Sequence, residues 1–148
     1  MFKPKTILVP IDFSETSEKA FQDALDIAVQ NDAMIYLLHV NEVIQLCAVD
    51  YCLDAALVEQ IENKTLASST EMLQKIINKF PNTKGIKIQS IVAKGNPFEE
   101  ILKVQNDKKI DLIVIAPHGK KGIFGHLLGS VAEKIARGAN CQVLIVKN

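Results

Sequence analysis

Residues 33–40 read AMIYLLHV, a run in which only His39 and the Tyr36 hydroxyl are polar. A strand of this composition has no face left for water. It belongs in a sheet covered by helices on both sides, which is the habit of parallel sheets. Upstream, residues 5–10 (KTILVP) form a short β-rich run stopped by proline, the mark of a buried strand. Between the two, Ser14 is placed to cap a helix in which Ala20, Phe21, Ala24, Leu25, Ile27 and Ala28 recur at helical spacing. Asn31 and Asp32 break that pattern.

Downstream the alternation continues. Residues 41–54 are irregular, and a long helix is expected from Ala55, with Leu57, Ile61, Leu73, Ile76, Ile77 and Phe80 on its buried side and Pro81 at its end. Residues 86–92 (IKIQSIV) alternate in part, as suits a strand nearer a sheet edge. Asn96 then reads as an N-cap, Pro97 as the first helical residue and Glu99 as the reciprocal capping partner. Residues 110–116 (IDLIVIA) are a fourth strand, 117–128 a glycine-containing loop, 129–138 a short helix and 142–147 (QVLIVK) a fifth strand.

Five strands separated by helices imply a three-layer α/β/α fold with a doubly wound parallel sheet and right-handed crossovers. In such folds ligands sit beyond the carboxyl ends of the strands, where the strand order reverses. That directs attention to Asp12, Val40 and residues 116–130.

With 148 residues the chain fits a single domain spanning 1–148, able to bury roughly 70% of its unfolded surface. Lys+Arg and Asp+Glu both total 17. That balance argues against nucleic acid and against a polybasic membrane contact. No apolar run reaches the ~18 residues of a membrane span, so a cytoplasmic location is expected. Cys47, Cys52 and Cys141 are odd in number and contain no Cys-x-x-Cys pair; they are read as reduced, structural or incidental thiols without a metal.

The densest chemical signal is APHGKKGIFGHLLGS, residues 116–130, lying between a strand and a helix. Gly119, Gly122 and Gly125 are expected to allow positive φ and close backbone approach, so that N–H groups converge on an anion. Gly129 and Ser130 fall where a helix begins, an end that favours phosphate, and Lys120 and Lys121 add positive charge. The spacing is neither a Walker loop nor G-x-G-x-x-G. Each piece also has a plainer reading. The glycines can serve turns, Ser130 with Glu133 is a capping box, and the lysines, His118 and His126 can be solvated loop residues. Asp12, just past Pro10 and Ile11, can accept from a ribose hydroxyl or a base, or can cap the first helix. Receiver, flavodoxin and ATP-pyrophosphatase folds each need residues after the first strand that are absent from PIDFS, residues 10–14.

ILVPIDFS (7–14), LHV (38–40), KGNP (94–97) and residues 116–146, ending in HLLGSVAEKIARGANCQVLIV, resemble the universal stress protein family. The resemblance implies strand order 3-2-1-4-5 and, often, a homodimer joined through the last strand. It also implies two branches. Members that bind ATP carry Gly-x-x-Gly, nine residues, then Gly-Ser or Gly-Thr. This chain matches at Gly119, Gly129 and Ser130 but has Ala116 at the first glycine. By the same resemblance, adenine would lie near Ile11, Asp12 and Val40, ribose near Asp12 and Ala116, and phosphates near Gly119, Gly129, Ser130 and Val131, with Pro10 and His118 alongside. The implied function is a dimeric stress-response module that binds ATP or another adenine nucleotide, with or without Mg. The alternatives are a nucleotide-independent interaction protein and, less favoured, a slow ATP hydrolase, for which paired carboxylates and a well-placed arginine are missing.

Overall fold

The computed structural model describes residues 1–43, 55–83, 85–119 and 128–147. Strands β1 (Thr6–Pro10), β2 (Met34–Asn41), β3 (Ile88–Lys94), β4 (Leu112–Ile115) and β5 (Gln142–Ile145) form one sheet, ordered β3-β2-β1-β4-β5 with every neighbouring pair parallel. Helices α1 (Glu15–Asn31), α2 (Ala55–Lys79), α3 (Pro97–Lys108) and α4 (Ser130–Gly138) connect them. The layered, doubly wound arrangement expected from the alternation is the one observed.

The period of two along each strand divides the core between the two helical layers. Ile7 and Val9 of β1, Ile35 and Leu37 of β2, and Leu112 and Val114 of β4 pack with Phe21, Ala24, Leu73 and Ile76 of α1 and α2. Leu8, Leu38, Ile113 and Ile115 point the other way, onto Ile101 and Val104 of α3 and Ala132 and Ile135 of α4. Phe21 is wholly buried and meets Phe80 edge-on, with ring centroids 5.3 Å apart. Burial of each such side chain is worth ~1.5–3 kcal/mol, so the sandwiching of β1, β2 and β4 dominates the stability of the sheet.

Helix termini follow local chemistry. Ser14 Oγ accepts from Ser17 N at 3.2 Å, and Asp32 adopts a left-handed conformation (φ 52°) that ends α1 where Asn31 and Asp32 interrupt the apolar pattern. Asn96 Oδ1 accepts from Glu99 N at 3.2 Å, with Pro97 as the first residue of α3. The expected return bond does not form among the described residues; Glu99 is exposed, and only the asparagine half of the box is made.

Two expectations are corrected. Leu57 is exposed and Ile61 only half-buried, and the buried residues of α2 are Ser69, Leu73 and Ile76. The reason is length. A helix of 25 residues spans ~37 Å, whereas a seven-residue strand such as β3 spans ~23 Å. Ser69 Oγ bonds Asn41 Oδ1 at 2.9 Å, level with the last residue of β2, and Glu62 pairs with Lys94 at the end of β3. The first turns of α2 therefore run past the carboxyl edge of the sheet, where no strand can cover them. β4 is also shorter than residues 110–116. Asp111 turns its carboxylate back onto the start of β1, accepting from Lys5 N (2.8 Å), Thr6 N (3.0 Å) and Thr6 Oγ1 (3.0 Å). The irregular stretch 44–54, with Cys47 and Cys52, lies outside the described residues.

The bond from Lys5 N, with those from Thr6, holds the Asp111 carboxyl below its ordinary pKa despite some desolvation. A depressed folded-state pKa contributes stability above the unfolded value that is lost as pH falls through the folded one. Asp111→Ala is expected to cost about 2 kcal/mol at pH 7 in urea titrations. The gap from wild type should close as pH drops below about 4; a gap independent of pH would exclude the charged carboxylate as its cause.

Candidate functional site

The strand order reverses between β1 and β4, and there the chain leaves the sheet in opposite directions. After Pro10, Ile11 stays buried at 3% exposure while its N–H still reaches Leu38 O at 2.7 Å. Phe13 then takes φ 65°, a left-handed conformation that a bulky residue adopts only where its surroundings enforce it. Two contacts do so. The Phe13 ring lies on His39, with centroids 4.3 Å apart, and Asp12 Oδ1 accepts from Ser14 N at 3.0 Å and from the Ser14 hydroxyl. His39 Nδ1 in turn meets Ile11 O at 2.7 Å; a carbonyl only accepts, so the ring proton is on Nδ1.

The segment after β4 closes against this turn. Thr16 Oγ1 donates to His118 O at 3.1 Å, and Gly129 N donates to Pro117 O at 2.7 Å. A Cβ on Gly119 would stand 2.6 Å from Asp12 Oδ2, and one on Gly129 would stand 3.1 Å from Pro117 O. Neither glycine has positive φ, contrary to expectation at Gly119. What these positions require is room. Gly122 and Gly125, with Lys120, Lys121 and His126, lie outside the described residues. Ala116 also has negative φ and is 8% exposed, its methyl packed into the core with Ile11. The alanine thus fits its backbone without strain.

A cleft of about 470 Å³ opens between these segments, a volume typical of small-molecule sites. All ten residues singled out in the sequence border it: Pro10, Ile11 and Asp12 after β1, Val40 on β2, Ala116, His118 and Gly119 after β4, and Gly129, Ser130 and Val131 at the start of α4. The same cleft takes in Ser17, His39, Glu42, Pro97 and Ile101, which sequence reasoning did not single out. Pro97 and Ile101 lie at the start of a helix that follows a strand, which is a legible signal; His39 is marked in the sequence only as the polar residue of LHV.

The first turns of α1, α3 and α4 all border the cleft, and they differ in one respect. Ser14 caps α1 and Asn96 caps α3 with side-chain oxygens, whereas α4 begins at Gly129 with no side-chain cap. The Ser130–Glu133 capping box, the plainer reading of these two residues, does not form. With Gly129 as N-cap the reciprocal position is Ala132, so Glu133 is one residue out of register, and it pairs instead with Arg137 at 3.3 Å. Among the described residues the N–H groups of Ser130, Val131 and Ala132 have no hydrogen-bond partner, and this end of α4 borders the cleft, a favourable place for an anion. Among the described residues no lysine or arginine lines the cleft, and no cluster of three His, Cys, Asp or Glu side chains could hold a metal.

A second unpaired set lies at the other end. Residues of β2 alternate in the neighbour their backbone faces: Ile35 N bonds β3-side Lys87 O, while Leu38 O receives Ile11 N from the β1 side. Val40 shares the parity of Leu38. The β1–β2 ladder ends at Pro10 and Leu38, so the N–H and C=O of Val40 point past its end and make no hydrogen bond among the described residues.

Fold and cleft define a doubly wound α/β protein with a crevice at its topological switch point. Residues 3–147 match the model of the universal stress protein family, and the chain belongs to that family. Universal stress protein MJ0577 of Methanocaldococcus jannaschii is 35% identical over 97% of this chain and 94% of its own length. Its solved structure superposes with a TM-score of 0.76, covering 99% of this chain and 98% of that one. Universal stress protein MJ0531 of the same organism is 34% identical over 97% of this chain and 82% of its own. A universal stress protein solved in complex with cAMP has the same fold, with a TM-score of 0.71 at 22% identity over 98% of each chain.

The Asp12–Gly119 contact makes a sharp prediction. Gly119→Ala should destabilise the protein by about 1–3 kcal/mol, and in an Asp12→Ala background most of that cost should vanish. A double-mutant cycle by chemical denaturation measures the coupling; additive effects would mean that the glycine serves something other than this carboxylate.

Proposed function

We propose that this protein binds an adenine nucleotide, ATP with or without Mg, in the cleft at the switch point, and that occupancy acts as a signal in a stress response. One observation carries this reading: the cleft pairs an uncapped helix start with an unpaired strand-edge donor and acceptor at its other end. The N–H groups around Gly129, Ser130 and Val131 suit phosphate. Val40 offers a donor and an acceptor side by side, matching N1 (acceptor) and the N6 amino group (donor) of adenine. Guanine presents the reverse polarity there and is disfavoured. Asp12, between the two ends, suits ribose hydroxyls, and Ala116 leaves that wall smooth.

The phosphate charge would be met by main-chain N–H groups, the field of α4 and any Mg carried by the nucleotide itself. Binding can signal only by favouring one conformation or partner surface over another, and a second copy pairing along β5 would provide such a surface. β5 is an edge strand with Leu144 exposed at 39%. We also place the protein in the cytoplasm; among the described residues no helix is long and apolar enough to cross a membrane.

Thermal unfolding with about 1 mM Mg·ATP tests the ligand. A Kd near 10 μM would add about 2.7 kcal/mol and raise Tm by roughly 5–10 °C, with GTP giving a smaller shift. Ser130→Pro deletes one cleft-facing N–H and the hydroxyl at a position where helices accept proline. It should leave the unliganded Tm unchanged and weaken ATP about tenfold. No shift with ATP, ADP, AMP or cyclic AMP would favour the nucleotide-independent interaction module. Sedimentation of Leu144→Lys tests the assembly: a dimeric wild type should become monomeric, and a variant that stays dimeric would place the contact elsewhere.

A further inference from the structure

The Ile11 carbonyl has two candidate donors. Extension of the β1–β2 ladder by one step would give it to Val40 N–H, since Ile11 N already bonds Leu38 O. Instead His39 Nδ1 takes it at 2.7 Å. His39 projects to the α1 and α2 face, where its ring packs against Phe13 at a tilt of 36°, and Val40 projects to the α3 and α4 face. The histidine thus takes one of the two acceptor positions of this carbonyl at the point where the ladder stops.

We propose that His39 is a positioning residue for base recognition: by occupying the Ile11 carbonyl it keeps Val40 N–H open to the cleft. This role rests on the nucleotide reading for its ligand only; the competition for the carbonyl exists without any ligand. Three local features then have a common cause. Phe13 is held in its left-handed conformation against the imidazole, Asp12 is turned toward Gly119, and the strand pair ends before Val40. An apolar residue at position 39 cannot donate, and the carbonyl then has Val40 N–H as its nearest main-chain donor along the ladder. Asparagine keeps an N–H at the place of Nδ1.

Amide hydrogen exchange on the unliganded protein reads the device directly. In wild type the Val40 amide should exchange quickly while Leu38, inside the ladder, is protected. In His39→Leu the Val40 amide should become protected at least tenfold, and in His39→Asn it should stay fast. Titration calorimetry adds the functional arm. His39→Leu should lose about tenfold in ATP affinity, the worth of one hydrogen bond, with affinity for inorganic triphosphate unchanged and His39→Asn close to wild type. A protected Val40 amide in the unliganded wild type, or one that stays fast in a folded His39→Leu, would overturn the proposal. Equal losses of ATP and triphosphate would also overturn it, since they mark a general structural role. If wild type binds no nucleotide, the functional reading fails while the exchange result still decides what His39 does.

Discussion

The cleft exists because β1 stops pairing before β2 does. β1 and β2 share a ladder up to Pro10 and Leu38, after which β2 continues to Asn41 beside β3 alone. At that point the first strand has to bend away, and the bend is built from an unfavourable conformation at Phe13. Its cost, of order 1–3 kcal/mol, must be offset locally. The tilted ring contact with His39 and the Asp12 bonds to Ser14 contribute to that compensation. Everything ascribed to the site, from the seat of Gly119 to the open edge at Val40, depends on this early departure.

Much of this architecture could be read in the residues. AMIYLLHV and IDLIVIA have no polar face, so a parallel sheet between helical layers was dictated by composition, and the rule of strand ends pointed to residues that border one cleft. The universal stress protein resemblance agreed with that reading, and the family model matches residues 3–147. What stayed hidden is what depends on contacts distant in sequence. The overshoot of α2 is invisible in its own periodicity, because Leu57 and Leu73 look alike until the length of the neighbouring strands is known. The same holds for Gly119: a loop glycine suggests unusual φ, yet here the requirement comes from a carboxylate 107 positions earlier in the chain.

The capping box shows how a local rule can be satisfied on paper and fail in space. Ser130 and Glu133 have the right spacing, but Pro117 O draws Gly129 N toward it and sets the helix start one residue earlier than the box needs. A tertiary hydrogen bond thus overrides a local preference worth about 1 kcal/mol. The result is the uncapped end on which the anion argument stands.

The close fit between Asp12 and Gly119 also bears on how this cleft could be moved or remade. The two positions behave as one steric unit divided between distant parts of the chain, with no space for a methyl between them. A chimera that takes residues 116–130 from one relative and the β1–α1 turn from another would bring the halves together only if both sides keep their member of the pair. Recombination breakpoints between residues 13 and 118 are therefore safe in this fold only among chains that agree at both ends, a compatibility rule set by 2.6 Å of space.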